Sequence, residues 1–177
     1  MFDRSSGRQL WERVLPGDGP GQPARCWSAA ILTDGVVIAG SSTGRVYGLD
    51  SATGAIRWRT EPLVPLTPPN SDFMAIVETA SGILVTTTGR VLLLVDPLTG
   101  AVRWRREFFS LSSFQPFPAA IGDVAAVTGF NGEFLLVDAA TGAARVTTGT
   151  GAVLPSADRP RRRFLVTALS SFRLVTP

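Results

Sequence analysis

The chain has 177 residues, 45% of them hydrophobic and 18% charged, which is long and apolar enough for one domain with a proper core and excludes a disordered chain. Its 17 basic residues are all Arg, with no Lys or His, so a net charge of +3 is too small to imply a polyanion partner and acid–base roles would fall to carboxylates. The single Cys26 excludes an internal disulfide framework, "MFDRSSGRQL" lacks the apolar core of a signal peptide, and no apolar run reaches the ~18 residues of a membrane span.

In chain order, the first recognisable string is "FDRSSGRQLW" at 2–11, followed by a Gly/Pro-rich linker, "LPGDGPGQPAR" (15–25). A strand and turn are predicted over "CWSAAILTDG" (26–35), and a strand, hairpin and strand over "GVVIAGSSTGRVYGLD" (35–50). "LDSATGAIRW" (49–58) then repeats the opening string, and a second linker, "PLVPLTPPNSDF" (62–73), leads to the next round. That round reads "FMAIVETASG" (73–82), "GILVTTTGRVLLLVD" (82–96) and "VDPLTGAVRW" (95–104), with the linker "FFSLSSFQPF" (108–117) after it. The third round reads "PFPAAIGD" (116–123), "DVAAVTGFNGEFLLVD" (123–138) and "VDAATGAARV" (137–146). Thr43-Gly44, Thr88-Gly89 and Asn131-Gly132 are the predicted hairpin turns. A last stretch, "RRRFLVTALSSFRLVTP" (161–177), aligns with the middle two strands of a unit.

The aspartates that anchor the repeated string are Asp3, Asp50, Asp96 and Asp138, at intervals of 47, 46 and 42 residues, which is the period of propeller blades. Each is followed by Ser/Thr-Gly: Ser6-Gly7, Thr53-Gly54, Thr99-Gly100 and Thr141-Gly142. The Asp carboxylate can accept backbone N–H bonds in an Asx-type turn, and Gly supplies the left-handed conformation the reversal needs. Four residues after the Gly stands Trp11, Trp58, Trp104 and, in the last copy, Val146. A large ring there would cover the flank of a neighbouring sheet. With no helical periodicity, each unit reads as four antiparallel strands, so the expected fold is an all-β propeller of about four blades.

The D-x-x-T-G-x-x-x-W string resembles the tryptophan-docking motif of the PQQ-like (pyrroloquinoline-quinone, quinoprotein-type) β-propeller repeats. The other common propeller repeat carries a Gly-His signature, which a chain without His cannot have. The resemblance implies blade-docking roles for Trp11, Trp58 and Trp104, and blades packed about 45° apart as in an eight-bladed ring. The blades are expected near 24–61, 70–107, 115–148 and 152–177, with 1–14 supplying an outer strand that completes the last. Two closures fit: termini zipped within one four-bladed ring, or half of a wider ring completed by a second copy or by further sequence, and the wide docking angle favours the half ring.

Catalytic residues, a metal site and a bound cofactor are not expected. Glu61 and Glu107 both sit three residues after a repeat Trp, with Glu12 nearby in the first copy, and they read as edge charges. Quinoproteins of this type hold calcium with a Glu/Asn/Asp set and often carry adjacent cysteines, whereas Cys26 has no Cys neighbour. Arg159, Arg161, Arg162 and Arg163 form a basic turn that is a further candidate contact for a partner, but without the interleaved aromatics that stack on bases, so nucleic acid is not the expected partner. The non-repeating linkers on a repetitive scaffold are the expected contact surface, with Phe108, Phe109, Phe114 and Phe117 the apolar candidates. The function implied is a protein–protein interaction or assembly scaffold, including a homodimer that completes the ring. The alternative is a piece of a PQQ-dependent dehydrogenase.

Overall fold

The structure, a computed structural model, describes all residues except 18–20, 22, 27–30, 64–73, 88, 109–113, 115–116, 148–151, 159, 161–162, 169–170 and 176–177. For strand residues 74, 145–147, 152–154, 156, 158, 163, 165–168 and 171–175 it describes the backbone alone. Among the described residues every regular element is a strand, and no helix is long and apolar enough to cross a membrane.

Apolar stretches broken by turn residues at short intervals fold here as meanders, each strand pairing with its neighbour in sequence. The first sheet runs β1 (Ile31–Thr33), β2 (Val36–Gly40), β3 (Val46–Asp50), β4 (Ile56–Arg59). The second runs β5 (Met74–Thr79), β6 (Gly82–Thr87), β7 (Val91–Val95), β8 (Val102–Glu107), and the third β9 (Ala119–Ile121), β10 (Val124–Thr128), β11 (Phe134–Asp138), β12 (Ala144–Thr147). The fourth has three strands, β13 (Ala152–Asp158), β14 (Arg163–Ala168) and β15 (Ser171–Val175). The innermost strands meet in series, β1 against β5, β5 against β9 and β9 against β13, so the sheets stand side by side around one axis. These are the blades of a β-propeller.

Turn chemistry fixes the registers. Asp34 and Gly35, at φ 47° and 73°, form the two-residue loop that closes Thr33 on Val36, the Asp-Gly pair favoured because both residues must be left-handed. In the next hairpin the left-handed position lies six residues before the repeat Asp. Gly44 and Gly132 fill it in the first and third blades, but in the second it is Arg90 at φ 63°, whose N–H bonds Thr87 O at 3.2 Å. The left-handed residue thus falls one beyond the expected Thr88-Gly89 pair, of which Thr88 lies outside the described residues. The ladder that pairs Ile83 with Val95 sets the turn by its distance from Asp96, whatever residue falls there.

The core lies between blades. Val36, Ile38 and Val46 of the first pack on Ile83, Val85 and Leu93 of the second. Leu84 and Leu92 face Ala125, Val127 and Leu135 of the third, and Ile121 and Phe134 face Phe164 of the fourth. The first blade's other face is not bare: Leu15, with Trp11 and Ala24 beside it, covers Val37, Tyr47 and Leu49. Residues 11–16 follow the path that linker residues Leu63 and Phe108 take onto the next blades.

Candidate interaction surface

The fold has two rims of different chemistry. One carries the repeat turns, built alike each time. Asp50 Oδ1 accepts the backbone N–H groups of Ala52 at 3.0 Å and Thr53 at 2.8 Å and the Thr53 hydroxyl at 2.9 Å, while Gly54 N–H bonds Asp50 O at 2.8 Å. Asp3 does the same with Ser5 and Ser6, Asp96 with Leu98 and Thr99, and Asp138 with Thr141. Gly7, Gly54, Gly100 and Gly142 all have φ between 67° and 75°.

The same turns hold the charge state of the carboxylates. The Ser5 hydroxyl above all holds Asp3 to about 2, the Arg57 guanidinium does so for Asp50 and the Arg103 guanidinium for Asp96, each to about 2. The Thr141 backbone N–H lowers Asp138. Two of these arginines were missed in the sequence reading. Arg57 and Arg103, seven residues after the Asp, reach its Oδ2 at 2.5 and 2.6 Å. A β-bulge explains the reach: Gly48 pairs with Trp58 but Leu49 with Ile56, and Leu94 with Trp104 but Val95 with Val102, so the skipped residue is the Arg. In the third blade, where Val146 stands for Trp, the ladder from Phe134–Thr147 to Val137–Ala144 is unbroken.

Each Trp spans from one unit to the turn of the next. Trp11 Nε1 donates to Ser51 O at 2.9 Å, Trp58 Nε1 to Pro97 O at 3.1 Å and Trp104 Nε1 to Ala139 O at 2.7 Å. Their rings lie over Gly54, Gly100 and Gly142, where a Cβ would come within 2.6, 2.5 and 3.1 Å of ring carbons. The glycines are therefore needed twice, for their left-handed φ and for the ring's approach. Side-chain bonds add to this tie: Arg13 Nε donates to Gly54 O at 2.8 Å, and Ser81 N–H to Asp123 Oδ1 at 2.7 Å. Between the first two blades this rim opens into a polar cleft of about 440 Å³, lined by Asp34, Glu78, Ser81, Asp96, Leu98 and Arg103. Arg103 is already committed there to Asp96 and to Ser81 O.

The opposite rim carries the linkers and the hairpins between second and third strands. Leu63 N–H bonds Gly44 O at 2.8 Å and Phe108 N–H bonds Arg90 O at 3.0 Å, while Phe114 bridges to Gly129. The four phenylalanines named from sequence separate here. Phe114 is buried, in edge contact with half-buried Phe108 at 5.9 Å, and packs over the blade pair. Phe117 is 57% exposed, and Phe109 lies outside the described residues. Phe130, in the hairpin Phe114 bridges to, is 58% exposed and was not singled out by sequence, because a lone aromatic in a turn carries no periodic signal. Of the basic turn, Arg159, Arg161 and Arg162 lie outside the described residues, and Arg163 is described by its backbone, at the start of β14. The recurring glutamates sit on the outer edge: Glu61 pairs with Arg45 at 3.4 Å, Glu107 with Arg105, and Glu12 accepts a bond from Gln9. Among the described residues no three His, Cys, Asp or Glu side chains are grouped to hold a metal ion.

Comparison with known proteins places this fold among others. No family model matches the chain. A segment of 127 residues, 70% of the chain, is 32% identical to the serine/threonine-protein kinase AfsK of Streptomyces griseus, and 117 residues are 26% identical to the outer membrane protein assembly factor BamB of Bordetella pertussis. The chain spans 15% of the kinase and 30% of that BamB. The crystal structure of BamB from Moraxella catarrhalis superposes on 99% of the chain with a TM-score of 0.72 at 16% identity, using 54% of its own length.

Proposed function

We propose that this chain is a PQQ-like β-propeller module without catalytic function of its own, serving as a protein–protein interaction or assembly scaffold, with the linker rim around Phe117 and Phe130 as its contact surface. The observation that carries this reading is the double likeness to BamB, by sequence over 117 residues and by structure over 99% of the chain, BamB being by name an assembly factor. The likeness to a segment filling 15% of a protein kinase supports it as well, since an interaction module can be joined to different effectors. Two exposed phenylalanines on one rim give such a surface aromatic anchors.

The reading is tested by placing a photoreactive aromatic residue at Phe117 or Phe130 and irradiating cells of the source organism. A discrete protein adduct from these positions, missing when the probe stands at Arg59 on an outer strand, is expected; no adduct from either rim position would sink the proposal. The alternative, a part of a PQQ-dependent dehydrogenase, predicts saturable calcium-dependent binding of the quinone, and calorimetry with the quinone and calcium separates the two.

A further inference from the structure

This inference rests on the interaction-module reading and gives the chemistry of the partner. We propose that the linker rim at the second and third blades, with Arg90, Phe117 and Phe130, recognises an acidic segment of another protein, in which carboxylates stand beside an apolar side chain.

Arg90 sits at φ 63° at the tip of the β6–β7 hairpin, in the place that Gly44 and Gly132 fill in the first and third blades. Left-handed backbone suits Gly and strains a residue that carries a side chain. Gly meets the same turn in the other two blades, so the hairpin itself has no use for a guanidinium. Strained residues of this kind gather at binding sites, where the side chain is what is wanted. Arg90 is exposed, and a guanidinium presents its N–H donors in a planar fork that matches a carboxylate.

The aromatic groups belong to the same stretch of rim. Arg90 O accepts the Phe108 N–H at 3.0 Å, Phe108 meets Phe114 edge-on with ring centres 5.9 Å apart, and Phe114 bridges Gly129. Phe108 and Phe114 pack with Leu84 and Leu92 of the second blade and with Val127 and Leu135 of the third. The linker thus crosses from one hairpin tip to the next. Arg90 stands at one end of the crossing and Phe130, next to Gly129, at the other. Phe117 lies further along the same linker, and it and Phe130 are both more than half exposed.

Charge decides the partner. The linker 108–117 has no charged residue. The acids beside it are withdrawn or offset, Glu133 being 9% exposed and Glu107 paired with Arg105. Arg90 therefore sets the sign of the stretch, next to two phenyl rings. A cation beside aromatic area fits a carboxylate beside an apolar side chain, whereas a basic segment would meet like charge. Arg and aromatic residues are also the types enriched where proteins bind one another.

The test places the photoreactive residue at Phe130 in cells of the source organism, in the full chain with Arg90 kept or changed. Arg90→Glu should cut the yield of the protein adduct about tenfold and Arg90→Gly about threefold, while Arg90→Lys keeps most of it. Arg90→Gly relieves the left-handed backbone, so it should unfold in urea at no lower a midpoint than the parent, and its weaker adduct then reports binding rather than folding. Mass spectrometry should find Asp or Glu within the cross-linked segment of the partner. Equal yields whatever residue replaces Arg90, a cross-linked segment without carboxylates, or an adduct with a second copy of this chain would overturn the proposal and leave the scaffold reading standing. No adduct from the chain with Arg90 kept, at Phe130 or at Phe117, would sink both.

Discussion

Replacing Gly100 by Ala puts a methyl group 2.5 Å from Cε3 of Trp58 in a backbone at φ 75°. Two costs follow. An L side chain in the left-handed region loses about 1–2 kcal/mol. Overpacking against a seated ring adds about 1–3 kcal/mol, so the sum is about 2–5 kcal/mol. Gly122 isolates the first cost: its φ is 60° and a methyl there meets nothing within 4 Å, so Gly122→Ala should lose about 1–2 kcal/mol. Gly142, with Trp104 ring atoms at 3.1 Å, should fall between them. Urea unfolding followed by tryptophan fluorescence gives the three values on one scale. Combining Gly100→Ala with Trp58→Ala removes the clash, so the second change should cost less in that background than alone. Equal losses for Gly100→Ala and Gly122→Ala, or strict additivity in the double variant, would refute the docked-ring geometry.

Three further outcomes are expected. Trp104→Ala should lose about 2–4 kcal/mol, the ring being half-buried and its removal leaving Ala139 O without its donor, as read by the denaturation midpoint. Asp3, Asp50 and Asp96 have folded carboxyls near 2 against the ordinary 3.8, so their contribution is full above the unfolded value and is lost as pH falls through about 2; midpoints measured between about pH 5 and pH 2 should drop, and less steeply in Asp50→Asn. Arg103→Ala should cost no more than about 1 kcal/mol, since its side chain is nearly half exposed, and a loss well above that would mean its bonds to Asp96 and Ser81 O carry more than an exposed ion pair does.

The blade architecture was legible because it is written four times, and the alignment of Asp, Gly and Trp averages out the noise of any single copy. The turn positions follow from residue types alone, since Asp and Gly fill places few others can. Arg57 and Arg103 escaped for a definite reason. In an unbroken ladder the position next to Trp faces away from it, and only the bulge between the residues paired to Gly48 and Leu49 turns the guanidinium back to Asp50. Bulges leave no residue signature when the skipped position is an ordinary Arg. Arg90 escaped for the opposite reason: a Gly one residue earlier looked the better turn former, while strand pairing chose the position. Phe130 shows a third limit, because exposure is a property of the surroundings and the surrounding linker is the part of the unit that does not repeat.

The Trp contacts also give the molecule a direction. Trp11, Trp58 and Trp104 each reach forward in the chain to a carbonyl and a glycine of the following turn. Coupling of this kind is a row of one-way couplers between nearest neighbours. Loosening one turn should therefore be felt first by the unit behind it, whose ring loses its seat, and weakly by the unit ahead. The third blade carries Val146 where the coupler would stand, so among the described residues the fourth meets it through a buried apolar face with no ring at that place. Amide exchange under native conditions should then be slowest in β6 and β7 of the second blade, which a Trp couples to a full blade on each side, and fastest in β13 to β15.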